Sequence, residues 1–173
     1  MDIAALLGSK ALKPSEKREQ IADALRAGAV TVRELGSGGL DEKQAGIVLE
    51  AMEAVSRNNP EAADTEWLNY AQAYIAAESN SLKREASRVV GNIAAGFPDD
   101  LDGSIEKLLE NTKNDGTVVR WGSAYALGRV VLIPKFANSD LFDVLTGLAE
   151  REPENGVKNQ YLTGLKKARK LRK

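Results

Sequence analysis

The chain has no cysteine and no histidine among its 173 residues. The first absence removes disulfides, thiolate chemistry and cysteine-based zinc sites. The second removes the commonest general base and the commonest metal ligand, so catalysis would have to rest on carboxylates, Lys, Ser/Thr or Tyr. Long apolar runs are missing too. "VVLI" at 130–133 ends at Pro134, far short of the ~20 residues that span a bilayer. The opening "MDIAALLGSKAL" has Asp2 where a secretion signal carries positive charge, and its apolar run is short. The expectation is a cytoplasmic chain with no membrane contact and no cofactor. No calcium-type loop, phosphate-binding loop, dinucleotide fingerprint or nucleophile elbow occurs. "GSGG" at 36–39 reads as a connector.

The chain also lacks a basic surplus. Its net charge is −1, with 43% hydrophobic and 28% charged residues, ordinary values for one globular domain. Positions 1–78 hold 8 basic and 13 acidic side chains, and positions 79–173 hold 16 and 12. Six of those 16 crowd the closing stretch "KKARKLRK". The body therefore speaks against nucleic acid as a partner. The tail reads as favourable charge at a helix C-terminus with a solvated, fraying end.

What is present is helical. Ala, Leu, Glu, Lys and Arg abound, apolar residues recur at three and four, and no alternating strand stands out. Breakers place helices over 14–28, 41–57, 64–78, 80–96, 100–114, 117–133, 138–152 and 155–170. "TVRE" at 31–34 is a capping box that opens only a short turn before Gly36. Asp100 is placed to cap the helix that follows it. This predicts an all-α fold with about eight or nine helices.

From position 40 onward the helices alternate in pairs, and the sequence repeats. "LKREASRVVGNI" at 82–93 aligns with "VRWGSAYALGRV" at 119–130, and "VKNQYLTGLKKA" at 157–168 follows at nearly the same spacing. Leu82 falls on Val119, Ala86 on Ser123, Val90 on Leu127, Gly91 on Gly128 and Ile93 on Val130. The third copy keeps Val157, Lys158, Tyr161, Leu165 and Ala168. The matched arc of Val119, Ser123, Ala126, Leu127 and Val130 predicts the buried face. Glycine inside a helix costs ~1 kcal/mol relative to Ala, so Gly91 and Gly128 are expected at close helix contacts.

A turn with Asn or Asp, then Val-Arg, small residues and Ala-Leu-Gly resembles a HEAT repeat. "NDGTVVRWGSAYALGRV" is similar to the short HEAT-like form of phycobilin lyases and many bacterial proteins. Residues 79–173 carry the resemblance, 40–78 share only the helix pattern, and 1–39 do not match. The resemblance implies a right-handed α-solenoid of antiparallel helix pairs. Its parts would be N-terminal cap helices over 1–39, a weak repeat over 40–78, repeats over 79–114 and 115–153, and a C-terminal half-repeat over 154–173. It also implies a structural ladder between repeats, with Asp115 and Arg120 at the matching positions. Asn80 with Lys83, and Glu154 with Lys158, are weaker counterparts.

Two aromatic groups are candidate partner-binding sites. Trp67, Tyr70 and Tyr74 share one helix face, although Leu68, Ala71 and Ile75 widen that face into a core stripe. Trp121 and Tyr125 point away from the repeat's matched arc. The aligned copies place Arg84 and Arg88, then Asn159 and Thr163, at those positions, so the repeat does not demand rings there. The expectation is a partly exposed aromatic patch, against the alternative that a neighbouring helix covers it.

A small solenoid offers an extended surface and little else. The leading reading is a non-enzymatic interaction or scaffold module whose partner is another protein or a second copy of the chain. The alternative is a HEAT-like DNA-binding protein resembling the alkylpurine DNA glycosylases. Those pair a basic channel with aromatic residues and a catalytic carboxylate, and Trp67 near Asp64 and Trp121 near Arg120 supply the residue types. A chromophore lyase is a third reading, resting on the repeat subtype alone.

Overall fold

The computed structural model describes residues 1–173 and is all helical, with no strand. It contains eleven α-helices: α1 (Ile3–Gly8), α2 (Pro14–Arg26), α3 (Val32–Gly36), α4 (Glu42–Ser56), α5 (Thr65–Tyr74), α6 (Asn80–Ile93), α7 (Asp102–Asn111), α8 (Thr117–Val130), α9 (Pro134–Ala137), α10 (Leu141–Arg151) and α11 (Asn155–Ala168). Short 3₁₀ turns cover Pro60–Ala62, Ala94–Gly96 and Arg169–Leu171.

The count exceeds the expected eight or nine because three helices are single turns with their own start signals. Asp2 accepts from the Ala5 amide and starts α1. The Thr31–Glu34 capping box closes reciprocally at 3.2 and 2.7 Å and starts α3. Pro134 does not merely end α8. It occupies the first position of α9, where its missing N–H costs nothing. Asp100, expected as a cap, is not one: α7 begins after Leu101 with no side-chain cap.

The helices α6, α8 and α11 are equal in length and begin at Asn80, Thr117 and Asn155, in step with the recurrence in the sequence. They occupy equivalent places. The helices α2, α4, α6, α8 and α11 lie side by side in chain order. A second row packs behind them, with α3 on α5, α5 on α6, α7 on α8, and α10 on α11. The second row is joined by polar side chains as well. Ser104 and Lys107 of α7 donate to Gln72 of α5, and Asn111 Nδ2 donates to the Ile75 carbonyl at 2.8 Å.

The helix α8 sits between α6 and α11 and is buried on most of its circumference. Val119, Ser123, Ala126, Leu127 and Val130, the expected arc, are all fully buried. Ala124 and Gly122, from outside that arc, are buried too. Glycine sets the distance between neighbours. A Cβ added at Gly91 would fall 2.8 Å from Ala126 Cα, and one at Gly128 would fall 2.6 Å from the Gln160 carbonyl oxygen. Gly164 of α11 meets Gly128 in turn. These contacts recover the helix-propensity cost of the glycines.

Arg120 ties one turn between helices to the next. It donates to the carbonyls of Asn114 and Asp115 at 3.0 Å each, and to the Glu152 carboxylate at 3.1 and 3.3 Å. The ladder expected with Asp115 therefore runs differently. Asp115 contributes its backbone carbonyl to Arg120, and the acidic partner is Glu152. Glu152 is buried and also accepts from the Glu154 amide. The basic tail is anchored rather than frayed. Asn138 donates to the Leu171 carbonyl and accepts from the Lys173 amide, while Arg172 donates to the Ala137 carbonyl and lies 4.2 Å from the Phe142 ring centre.

Candidate functional site

The first row of helices exposes a face that is dense in arginine. Arg18 and Arg26 of α2, Arg57 at the end of α4, and Arg84 and Arg88 of α6 line one cleft of about 530 Å³. Four carboxylates line it with them: Glu19, Glu50, Glu53 and Glu85. The two sets lie at different depths. Glu53 and Glu85 are almost wholly buried, while every arginine keeps part of its side chain in solvent.

The buried carboxylates organise the guanidinium groups above them. Glu53 accepts from Arg57 Nε at 2.9 Å and from Arg88 Nη2 at 2.8 Å. Glu85 accepts from Arg84 Nε at 2.8 Å and from Arg88 Nη1 at 3.1 Å. Arg88 thus bridges the acids of two neighbouring helices, and its own Nε is buried with no partner. Arg57 is held more firmly protonated than usual, chiefly by its hydrogen bond to Glu53. Glu50 is less committed. Its nearest cation is Arg18 at 3.9 Å, and burial, aided by the nearby Glu85, raises its carboxyl above the ordinary range.

The Trp121–Tyr125 pair borders this cleft. The two rings lie 5.3 Å apart. Arg129 sits 3.5 Å over the centre of the Tyr125 ring, and Arg88 lies 5.9 Å from that of Trp121. The Tyr125 hydroxyl donates to Asn92 Oδ1 at 2.6 Å, and Asn92 Nδ2 donates to Ser56 Oγ at 3.1 Å. A polar chain therefore crosses α8, α6 and α4 beside the ion-pair network. Burial raises the Tyr125 hydroxyl above its usual range, partly opposed by Arg129. Only Trp121 remains partly exposed, since Tyr125 retains 8% of its surface. The expected patch is thus one accessible ring resting on a covered one, and both serve as a platform for guanidinium groups.

The other aromatic group lies elsewhere. Trp67 is buried, and Tyr70 and Tyr74 stand 5.1 Å apart, partly buried. The Tyr70 hydroxyl is buried without a hydrogen-bond partner, and that burial raises its pKa strongly. A Cβ at Gly36 would touch the Tyr70 ring at 3.2 Å, so α3 closes over this strip. The structure does not bring Trp67, Tyr70 and Tyr74 together with Trp121 and Tyr125. It also brings together no group of three or more acidic side chains able to hold a metal ion.

The arginine cleft was not among the residues singled out from the sequence. Its signals were there in part: Arg84 and Arg88 stand four apart on one helix face, and the alignment of copies matches them with Trp121 and Tyr125. Arg18, Glu53 and Arg57 belong to the region where the repeat pattern is weakest. Net charge concealed them all, because acids and bases nearly balance within the cleft itself.

No protein-family model matches the chain, and no curated protein shows significant similarity to it. Among solved structures, the crystal structure of an engineered protein from the Northeast Structural Genomics Consortium aligns with 99% of this chain and 98% of its own. Its TM-score is 0.55 and its sequence identity 10%, a likeness of fold alone. No helix of this chain is long and apolar enough to cross a membrane.

Proposed function

We propose that the protein is a non-enzymatic interaction module, a HEAT-like α-solenoid that receives another protein on the face formed by α2, α4, α6 and α8. The observation that carries this reading is the layered cleft, with five guanidinium groups from three helices above two buried carboxylates. Burying Glu53 and Glu85 is a poor way to gain stability, because desolvation of each charge offsets much of the pairing energy. The arrangement does fix Arg57, Arg84 and Arg88 in place before any ligand arrives, which lowers the ordering cost of binding. Guanidinium groups presented this way suit carboxylates of a partner. The matched starts of α6, α8 and α11 and the two-row packing support the solenoid architecture.

A nucleic-acid partner has one observation in its favour, the nearness of Trp121 to Arg84 and Arg88. The cleft's own carboxylates weigh against it. Five cations against four acids leave little surplus for a backbone carrying one charge per ~1.7 Å. Selection from a random peptide display library against the immobilised full chain tests the reading. The expected result is enrichment of Asp- and Glu-rich sequences that is lost in the Arg84→Glu variant. Enrichment of basic sequences, or oligonucleotide binding that weakens steeply with salt, overturns it.

A further inference from the structure

Arg84 and Arg88 wall two cavities at once. On one side lies the charged cleft. On the other is a second cavity of about 530 Å³, lined by Arg84, Arg88, Thr117, Val118 and Trp121. Its surface is mostly apolar apart from the two arginines. Val118 is 45% exposed there, and Trp121 stands one helical turn away on the same face. The repeat does not require either residue. Position 118 aligns with the exposed Ser81 and Gly156, and position 121 with Arg84 and Asn159. This apolar spot therefore belongs to α8 alone, and internal packing does not account for it.

The two arginines differ in what they have left to offer. Arg88 spends both terminal nitrogens on Glu53 and Glu85, and so acts as a fixed wall. Arg84 bonds only through Nε, to Glu85. Its two terminal nitrogens remain available as a planar fork, matched to a carboxylate.

We propose that this two-part groove takes an extended segment of another protein in which acidic side chains stand beside one large aliphatic or aromatic side chain. The acidic residues meet Arg84 and the cleft, and the apolar residue rests on Val118 and Trp121. The inference rests on the interaction-module reading and adds the second element of recognition. A stacked nucleobase fits less well, because the Trp121 ring already lies against Tyr125 and Arg88.

The test uses the full chain and three fluorescein-labelled probes read by anisotropy. Two are twelve-residue Glu/Ser/Gly peptides of equal charge, one with a central Leu and the other with Ala there. The third is a twelve-nucleotide single-stranded DNA. The Leu peptide is expected to bind about tenfold more tightly than the Ala peptide, since a Leu side chain loses more apolar surface to the groove. Arg84→Gln should weaken both peptides alike. Val118→Ser, which copies the matched residue Ser81 at an exposed position, should erase the Leu preference and leave the Ala peptide unchanged. The thermal melt of Val118→Ser should match the parent, and Arg84→Gln, which loses one bond to the buried Glu85 but keeps that from Arg88, should melt lower yet remain folded at the assay temperature. Equal affinity for the two peptides, or a Leu preference that survives Val118→Ser, overturns the two-part groove while the acidic-partner reading stands. Absence of saturable binding for both peptides, or tighter binding of the oligonucleotide, overturns that reading itself.

Discussion

Gly164→Ala is expected to destabilise the protein by about 2 kcal/mol, although alanine is the better helix former. The intrinsic gain from removing a mid-helix glycine is ~0.5–1 kcal/mol. Against it stands a seam with no slack. A Cβ at Gly164 would lie 2.7 Å from Gly128 Cα and 2.8 Å from its carbonyl carbon, where carbons normally approach to about 3.5–4.0 Å. Both partners are backbone, so no side chain can rotate away, and α8 and α11 must separate by about 1 Å to restore that spacing. The fully buried Leu127, Tyr161 and Ala168 would lose contact as they do. Overpacking of this kind costs ~1–3 kcal/mol, and a backbone clash belongs at the upper end. For a chain of this length the net loss lowers Tm by about 4–8 °C. Gly46→Ala is the control. Its Cβ would meet only Leu82 Cδ2, at an ordinary 3.6 Å, so the same chemical change should stabilise by ~0.5–1 kcal/mol. Urea unfolding followed by far-ultraviolet circular dichroism reads both. A stabilised Gly164→Ala, or the same sign for both variants, would refute the account of the seam.

Four further outcomes are expected. Arg120→Met leaves the buried Glu152 with only the Glu154 amide as donor and should cost about 3 kcal/mol in urea unfolding; a loss below ~1 kcal/mol would remove Arg120 from the tie between turns. Tyr125→Phe deletes the bond to Asn92 and should cost about 1 kcal/mol, and a neutral result would show that the polar chain across α4, α6 and α8 contributes no stability. Trp67→Ala, in the core, should cost about 3–5 kcal/mol, and Trp121→Ala, partly in solvent, clearly less; equal losses would return Trp121 to the core. Burial raises the Glu50 carboxyl, so its protonated form favours the folded state; that contribution is complete below its ordinary value of 4.5 and is lost as pH rises through the folded value. Glu50→Gln should therefore raise Tm slightly at neutral pH and leave it unchanged below the ordinary carboxyl value, and an equal gain at both would refute the desolvation argument.

Much of the all-α architecture could be read locally. Periodicity and breakers located every long helix, and the spacing of the sequence copies returns as the starting points of α6, α8 and α11. The capping box at Thr31 marked the short turn of α3, whereas α1 and α9 left no period because each buries only two residues. A cap or a proline is their only signal, and Pro134 served as both stop and start. Asp115 was misassigned as the acid of the ladder because its contribution is a carbonyl, which any residue supplies. The true acid, Glu152, lies far along the chain from Arg120, and no local pattern joins them.

The site was harder to read for the same reason in a stronger form. In α6 two helix-facing positions carry Arg84 and Arg88, and α8 carries Trp121 and Tyr125 at the matched places. Seen along the chain, these rings look like a departure from the repeat and hence like a free patch. Side by side, the departure explains itself. Adjacent helices bring the cation of one copy to the ring of the next, so Arg88 meets Trp121, and Arg129 covers Tyr125 from within α8. Had α8 kept arginine at both positions, two guanidinium pairs would face each other while Glu53 and Glu85 each already accept from two arginines. The rings remove that repulsion, keep Arg88 over its carboxylates, and leave Arg84 as the arginine of the pair with terminal nitrogens to spare. Charge balance within the cleft and ring substitution beside it are thus one arrangement. It became visible only when side chains from separate copies were placed in contact.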